Sequence, residues 1–227
     1  MVESETAVGM LLFGLLLLVV VSPLLWHLLK AYRLRKAWSA LPDALGFTPS
    51  PHAFAHRQEV PALVGTRFGR EAAVFLYRVG GPRLLSGYRG YGTDPREDHG
   101  AFTGVQVAAP RADPRFTLLL LREGVRARVR KRLGWQDLQV GDPAFDGRFL
   151  IQAKDEAAAR AVLTDPHLRE ALLALERVEW VEVALGRVRL AVWGYRATPA
   201  FFEEALVAAT RIAERVERPR PVHAPPP

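Results

Sequence analysis

Asp142 and Asp146 stand four residues apart in the segment GDPAFDGRF, residues 141 to 149. Two carboxylates so placed can hold a divalent cation or divide acid–base work between them. The segment carries turn chemistry as well. Gly-Asp-Pro and Asp-Gly are turn dipeptides, and each Asp can accept from a backbone N–H two residues on. Phe145 and Phe149 flank the turn and are expected to enter the core, so Asp142, Phe145, Asp146 and Phe149 read first as a structural turn.

The remaining reactive residue types are sparse. His52 and His56 lie four apart in PHAFAH, a metal spacing on a helix, but Ala53 replaces the Glu that a metalloprotease needs after its first His. His99 sits in an oxygen-rich stretch with Asp94, Glu97 and Asp98, which reads as a solvated loop before it reads as a cation site. There is no Cys, and only Ser39, Ser50 and Ser86 follow residue 30. Neither a P-loop nor G-x-S-x-G occurs. No catalytic, cofactor-binding or metal-ligating residue is assigned. The chain reads as a binding protein, with an enzyme using Asp142, Asp146 or the His99 loop as the alternative.

Two stretches suit binding. In GYRGYG, residues 87 to 92, Tyr88 and Tyr91 bracket Arg89, and aromatics with Arg can grip a peptide or stack on bases. They fall in a long Gly-rich loop, residues 80 to 100, of a length usually tied to function or disorder. In EGVRARVRKRLG, Val125, Ala127 and Val129 alternate with Arg126, Arg128 and Arg130 as in a strand, and Lys131 and Arg132 follow. Leu121, Val125, Val129 and Leu133 also recur every fourth residue as in a helix, and Gly134 makes a helix the preferred reading. This cluster can touch anionic lipid. Nucleic acid ranks last among partners, because the cations are scattered and no binding motif accompanies them.

The elements that must position these residues begin with an anchor. From Ala7 to Leu29 there is no charged residue, and these 23 residues rise roughly 34 Å, enough to cross a bilayer core. Glu3 and Glu5 precede the run, and no small-residue cleavage step follows it, so a retained transmembrane helix is expected in place of a signal peptide. Lys30, Arg33, Arg35 and Lys36 follow at once and place the C-terminal side in the cytoplasm. The part after residue 29 holds all 31 basic residues and 22 of the 24 acids, about +9, which attracts it to an anionic leaflet. The expected layout is a short tail (1–6), a transmembrane helix (7–29), a basic juxtamembrane helix (30–41) ended by Pro42, a domain (42–218) and a Pro-rich disordered tail (219–227).

Within the domain, VPALVGTRFGREAAVFLYRV reads as a hairpin about Gly69 and EWVEVALGRVRLAVWGY as another about Gly186. FTGVQVAAP, RFTLLLLRE and RFLIQA read as strands, the second apolar on both faces and so expected to be central. Asp155 and Asp165-Pro166 mark two helix starts, and Thr198-Pro199 opens a third helix with Phe202, Leu206, Ala209, Ile212 and Val216 on one face. Helix and strand periods interleave without a βαβ rhythm. The fold class expected is α+β, a mixed and mostly antiparallel sheet with packed helices, in one domain or in two lobes divided near residue 134.

The run Gly-Asp, Phe-Asp-x-x-Phe into a strand, then AKDEAAARAVLT and a Leu-rich helix, from Leu133 to Leu175, resembles a pattern in uncharacterised bacterial membrane-anchored proteins. The resemblance implies a membrane-tethered domain and carries no catalytic residues. The protein expected from the anchor and its flanking charges is a single-pass one of the bacterial inner membrane, N-terminus outside. Its domain is expected to contact a protein partner, with the loop of residues 80 to 100 as the contact surface.

Overall fold

A computed structural model of the chain describes residues 21–22, 25–26, 28–29, 32–34, 36–50, 61–77, 102–122 and 138–218. The chain parts into two compact units, Met1–Leu41 and Pro42–Pro227. Among the described residues no helix is long and apolar enough to cross a membrane, and most of the 7–29 run lies outside them. Residues 36–45 are helical. The helix therefore does not stop at Pro42. It ends at Gly46, where the Phe47 N–H bonds the Pro42 carbonyl at 2.9 Å.

The second unit is α+β. Its eight strands are β1 (Thr48–Pro49), β2 (Pro61–Arg67), β3 (Arg70–Tyr77), β4 (Phe102–Ala108), β5 (Leu118–Arg122), β6 (Phe149–Ala153), β7 (Val178–Ala184) and β8 (Arg187–Trp193). They form one sheet in the order β1-β2-β3-β4-β8-β7-β5-β6, with every pairing antiparallel. A division into lobes near residue 134 is not how the chain is built. Strands from both sides of that position alternate, β4 against β8 and β5 between β7 and β6. β5 is interior but next to the edge strand, and Leu118 to Leu121 are all buried because both of its faces are covered.

Two hairpins close through two-residue loops with positive φ at both positions, Phe68-Gly69 (51° and 71°) and Leu185-Gly186 (52° and 68°). That backbone matches the right-handed twist of the strands it joins. Leu185 is in the turn and 66% exposed.

Residues 141 to 149 are not a simple turn. Pro143–Arg148 form a short helix, α1, capped by Asp142, and β6 starts at Phe149. α2 (Glu156–Leu163) and α3 (Pro166–Ala174) follow, with Asp155 and Asp165 accepting from the N–H groups of Ala158 and His167. α4 (Pro199–Glu217) packs on β4 and β8, and α2 and α3 pack on α4. Thr198 precedes α4 but makes no side-chain cap bond; Pro199 presets the first turn instead. Of the α4 stripe, Phe202, Leu206, Ala209 and Ile212 are buried and Val216 is half-buried.

Register sorts the sheet into two faces. Leu63, Val74, Val105, Leu190, Val181, Leu120 and Ile151 pair in one row across seven strands, all buried. On the opposite face, Ala73, Phe75, Leu119, Leu121, Leu150, Trp180 and Ala191 form a cluster of strand residues only, with Val64 and Phe102 packed against it. The helices therefore cover the first face.

A candidate binding hollow on the polar row of the sheet

One residue along each strand from the all-apolar row, register aligns Val64, Ala73, Gln106, Arg189, Glu182, Leu119 and Gln152 on the second face. Four of these are polar. Arg189 is 4% exposed, Glu182 1% and Gln152 6%, a rare setting for charge in a sheet. The Arg189 Nε donates to Gln106 Oε1 at 3.0 Å, and its guanidinium lies 5.7 Å from the centre of the Phe75 ring. Glu182 stands directly opposite Arg189 on the neighbouring strand. An opposite charge offsets the desolvation that would make either group costly alone.

Small side chains at Ala73 and Ala108 leave a hollow of about 260 Å³ between β2, β3, β4 and β8. Val64 and Phe75 wall it, Gln106 and Arg189 supply its polar side, and the exposed Glu71 and Arg187 stand with them. Its lining contains no hydroxyl, thiol, imidazole or amine. The exposed Glu71 carboxylate is the one lining group that could act as a base, and no hydroxyl, thiol or amine stands beside it for it to activate. A guanidinium, an amide, a carboxylate and an apolar wall are the parts of a recognition site.

Asp142 and Asp146 are both engaged with backbone. Asp142 Oδ1 accepts from the N–H groups of Ala144 and Phe145, each at 3.1 Å, and its Oδ2 accepts from Arg169 Nε at 2.8 Å. The Phe145 N–H holds the Asp142 carboxyl below the usual carboxylate range; burial opposes this, and Arg169 reinforces it. Arg169 also donates to the carbonyls of Leu163 and Thr164, so it ties α1 to the end of α2. Asp146 is 8% exposed and reaches backwards, accepting from Val140 N–H and Gly141 N–H at 2.9 Å each. Phe145 and Phe149 are fully buried, with ring centres 5.0 Å apart. The Asp pair has the geometry of a brace for α1. Among the described residues no group of three or more His, Asp or Glu is placed to hold a metal.

Tyr88, Arg89, Tyr91, Arg126, Arg128, Arg130 and Arg132 lie outside the described residues, as do His52, His56 and His99. The hollow brings together Arg189, Gln106, Arg187 and Glu71, which the sequence reading did not single out. The available signal was Arg189 in RVRLAVW and Glu182 in VEWVEVA, charges inside apolar strands that alternation assigns to solvent.

No family model and no curated protein matches the chain in sequence. In structure it is similar to the mycobacterial trehalose monomycolate transport factor A, TtfA, with a TM-score of 0.51 and 13% sequence identity. The match covers 83% of this chain and 98% of that one. At this identity the likeness defines the fold, an antiparallel α+β sheet domain.

Proposed function

We propose that this chain is a membrane-tethered accessory protein of the bacterial inner membrane, its domain on the cytoplasmic side, working by binding a protein partner. The observation that carries the reading is the hollow itself. Recognition groups line it, its one carboxylate, Glu71, has no hydroxyl, thiol or amine beside it, and the Asp142/Asp146 pair that invited an enzymatic reading is bound to backbone. The uncharged run of residues 7–29 with four cations behind it supports the tether and its orientation. The likeness to a transport factor makes a membrane transport assembly the setting we favour for the partner.

The test is photo-cross-linking in intact cells, with a benzophenone amino acid placed at Glu71, at Arg187 and, as a control, at the exposed Glu170 of α3. A discrete cross-linked protein from positions 71 and 187, absent from 170, is expected. Equal and diffuse labelling from all three would refute the hollow as the contact. A cytoplasm-only reporter fused after Pro227 should be active, and a silent one would refute the orientation.

A further inference from the structure

Phe68 and Leu185 are bulky apolar residues held at φ of 51° and 52°, in the left-handed region that favours Gly, Asn or Asp. Each is the first residue of a two-residue hairpin loop, where Asn-Gly would be the low-strain choice. Each is also well exposed, Phe68 at 51% and Leu185 at 66%. The strain is a cost to the folded domain in water, although the Phe68 ring lies 5.5 Å from the Arg67 guanidinium. Two hairpins distant in sequence therefore share the same costly choice.

They also share one end of the sheet. Gly65, Ala72, Val107, Val188 and Val183 pair in a single row, and both loops lie beyond it on the same side. Only β4 separates the two hairpins, so their tips stand about 14 Å apart, three strand spacings. The turn after β4 lies between them, with Ala109 N–H bonded to Gly186 O at 2.7 Å and Pro110 exposed. Arg111, Arg115 and Arg187 are exposed at this end. The acids nearby are largely engaged: Glu203 pairs with Arg67, Glu217 with Arg70, and Asp113 accepts the Arg115 N–H. Glu71 and Glu214, the latter close to Arg70, are exposed acids that remain with them.

We propose that this end of the sheet docks on an anionic membrane, with Phe68 and Leu185 entering the interface and Arg111 and Arg115 facing lipid phosphates. Apolar tips with flanking cations suit the boundary between headgroups and acyl chains. The choice of membrane over a protein groove rests on the tether proposed above, which would hold the domain beside a leaflet.

The chain has no cysteine, so a single introduced one takes a label cleanly. Full-length Phe68→Cys, Leu185→Cys, Pro110→Cys and Arg177→Cys proteins are labelled with an environment-sensitive dye. They are reconstituted in vesicles of phosphatidylethanolamine and phosphatidylglycerol in equal parts, containing spin-labelled lipid. Arg177, at the start of β7, marks the opposite end of the sheet. Quenching several-fold stronger at 68, 185 and 110 than at 177 is expected; equal quenching at all four overturns the proposal. Phe68→Asn with Leu185→Asn should relax both turns and raise the Tm by roughly 2–4 °C per site. The same pair should cut quenching of the Pro110 label several-fold, and quenching left unchanged in this well-folded variant also overturns the proposal. Carbonate washing tests the tether separately. A chain that washes off refutes the anchor, while one that stays without quenched tips refutes the docking alone.

Discussion

Replacing Asp146 by Ala removes a carboxylate from a site with almost no access to water. Its two oxygens each accept a backbone N–H at 2.9 Å, from Val140 and Gly141, and nothing in Ala replaces them. A hydrogen bond to a charged group is worth about 1.5–3 kcal/mol, and a buried donor left unmet costs about 1–3 kcal/mol. Some relaxation of residues 140–141 towards solvent will recover part of this, so about 3 kcal/mol is expected. For a domain of this size that lowers Tm by roughly 6–12 °C. Asp146→Asn keeps one acceptor and should cost about half as much. The assay is thermal and urea unfolding of residues 42–227, which form a compact unit, at neutral pH. Asp146→Ala melting with the wild type while abolishing the cellular role would refute the bracing argument and return this carboxylate to catalysis or metal binding.

Phe149→Ala empties a fully buried site against Phe145 and should cost about 3–5 kcal/mol, read as the fall in urea midpoint at constant slope. Gly65→Ala would place a Cβ 2.5 Å from Phe47 Cδ1, so about 1–3 kcal/mol is expected, with partial recovery when Phe47→Leu is added. Glu217 ionises below the usual carboxylate range, first through its hydrogen bond from Arg70, and the Phe145 N–H does the same for Asp142. At Asp165 burial opposes ionisation, but the bonds from Arg215 and His167 N–H outweigh it. A folded pKa below the unfolded one gives stability that is complete above the unfolded value and drains as pH falls through the folded one. Stability should therefore hold from pH 7 to about pH 5 and fall steadily below about pH 4.5, with a shallower acid limb in Arg70→Gln.

Local signals carried the local elements. Gly69 and Gly186 announced their hairpins, and Asp155 and Asp165 announced the starts of α2 and α3, because each acts on residues within three positions. Asp146 was harder to read, since its partners lie five and six residues upstream, outside any capping pattern. Pro42 reads as a helix end, yet the helix passes through it to residue 45. The sheet order was not legible at all. Insertion of β5 between β6 and β7, and pairing of β4 with β8, depend on which apolar faces match in three dimensions. The hollow was hidden for the same reason. Its small residues sit on β3 and β4 and its cation on β8, and a charge in an alternating strand looks solvated until the neighbouring strand supplies Gln106.

The pairing of β4 with β8 has a consequence for biosynthesis. Gln106 and Arg189 are 83 residues apart, so the free edge of β4 must wait for nearly the rest of the domain to be made. At about 5–20 residues per second the wait is roughly 4–17 s. Throughout it, β3 and β4 can already pair, while β4 shows an unpaired row of N–H and C=O groups and the apolar residues Val105 and Val107. The last element to emerge, α4, is also the one that covers that strand. Slowing translation between residues 109 and 186 should therefore raise the aggregated fraction, whereas slowing it before residue 102 should not.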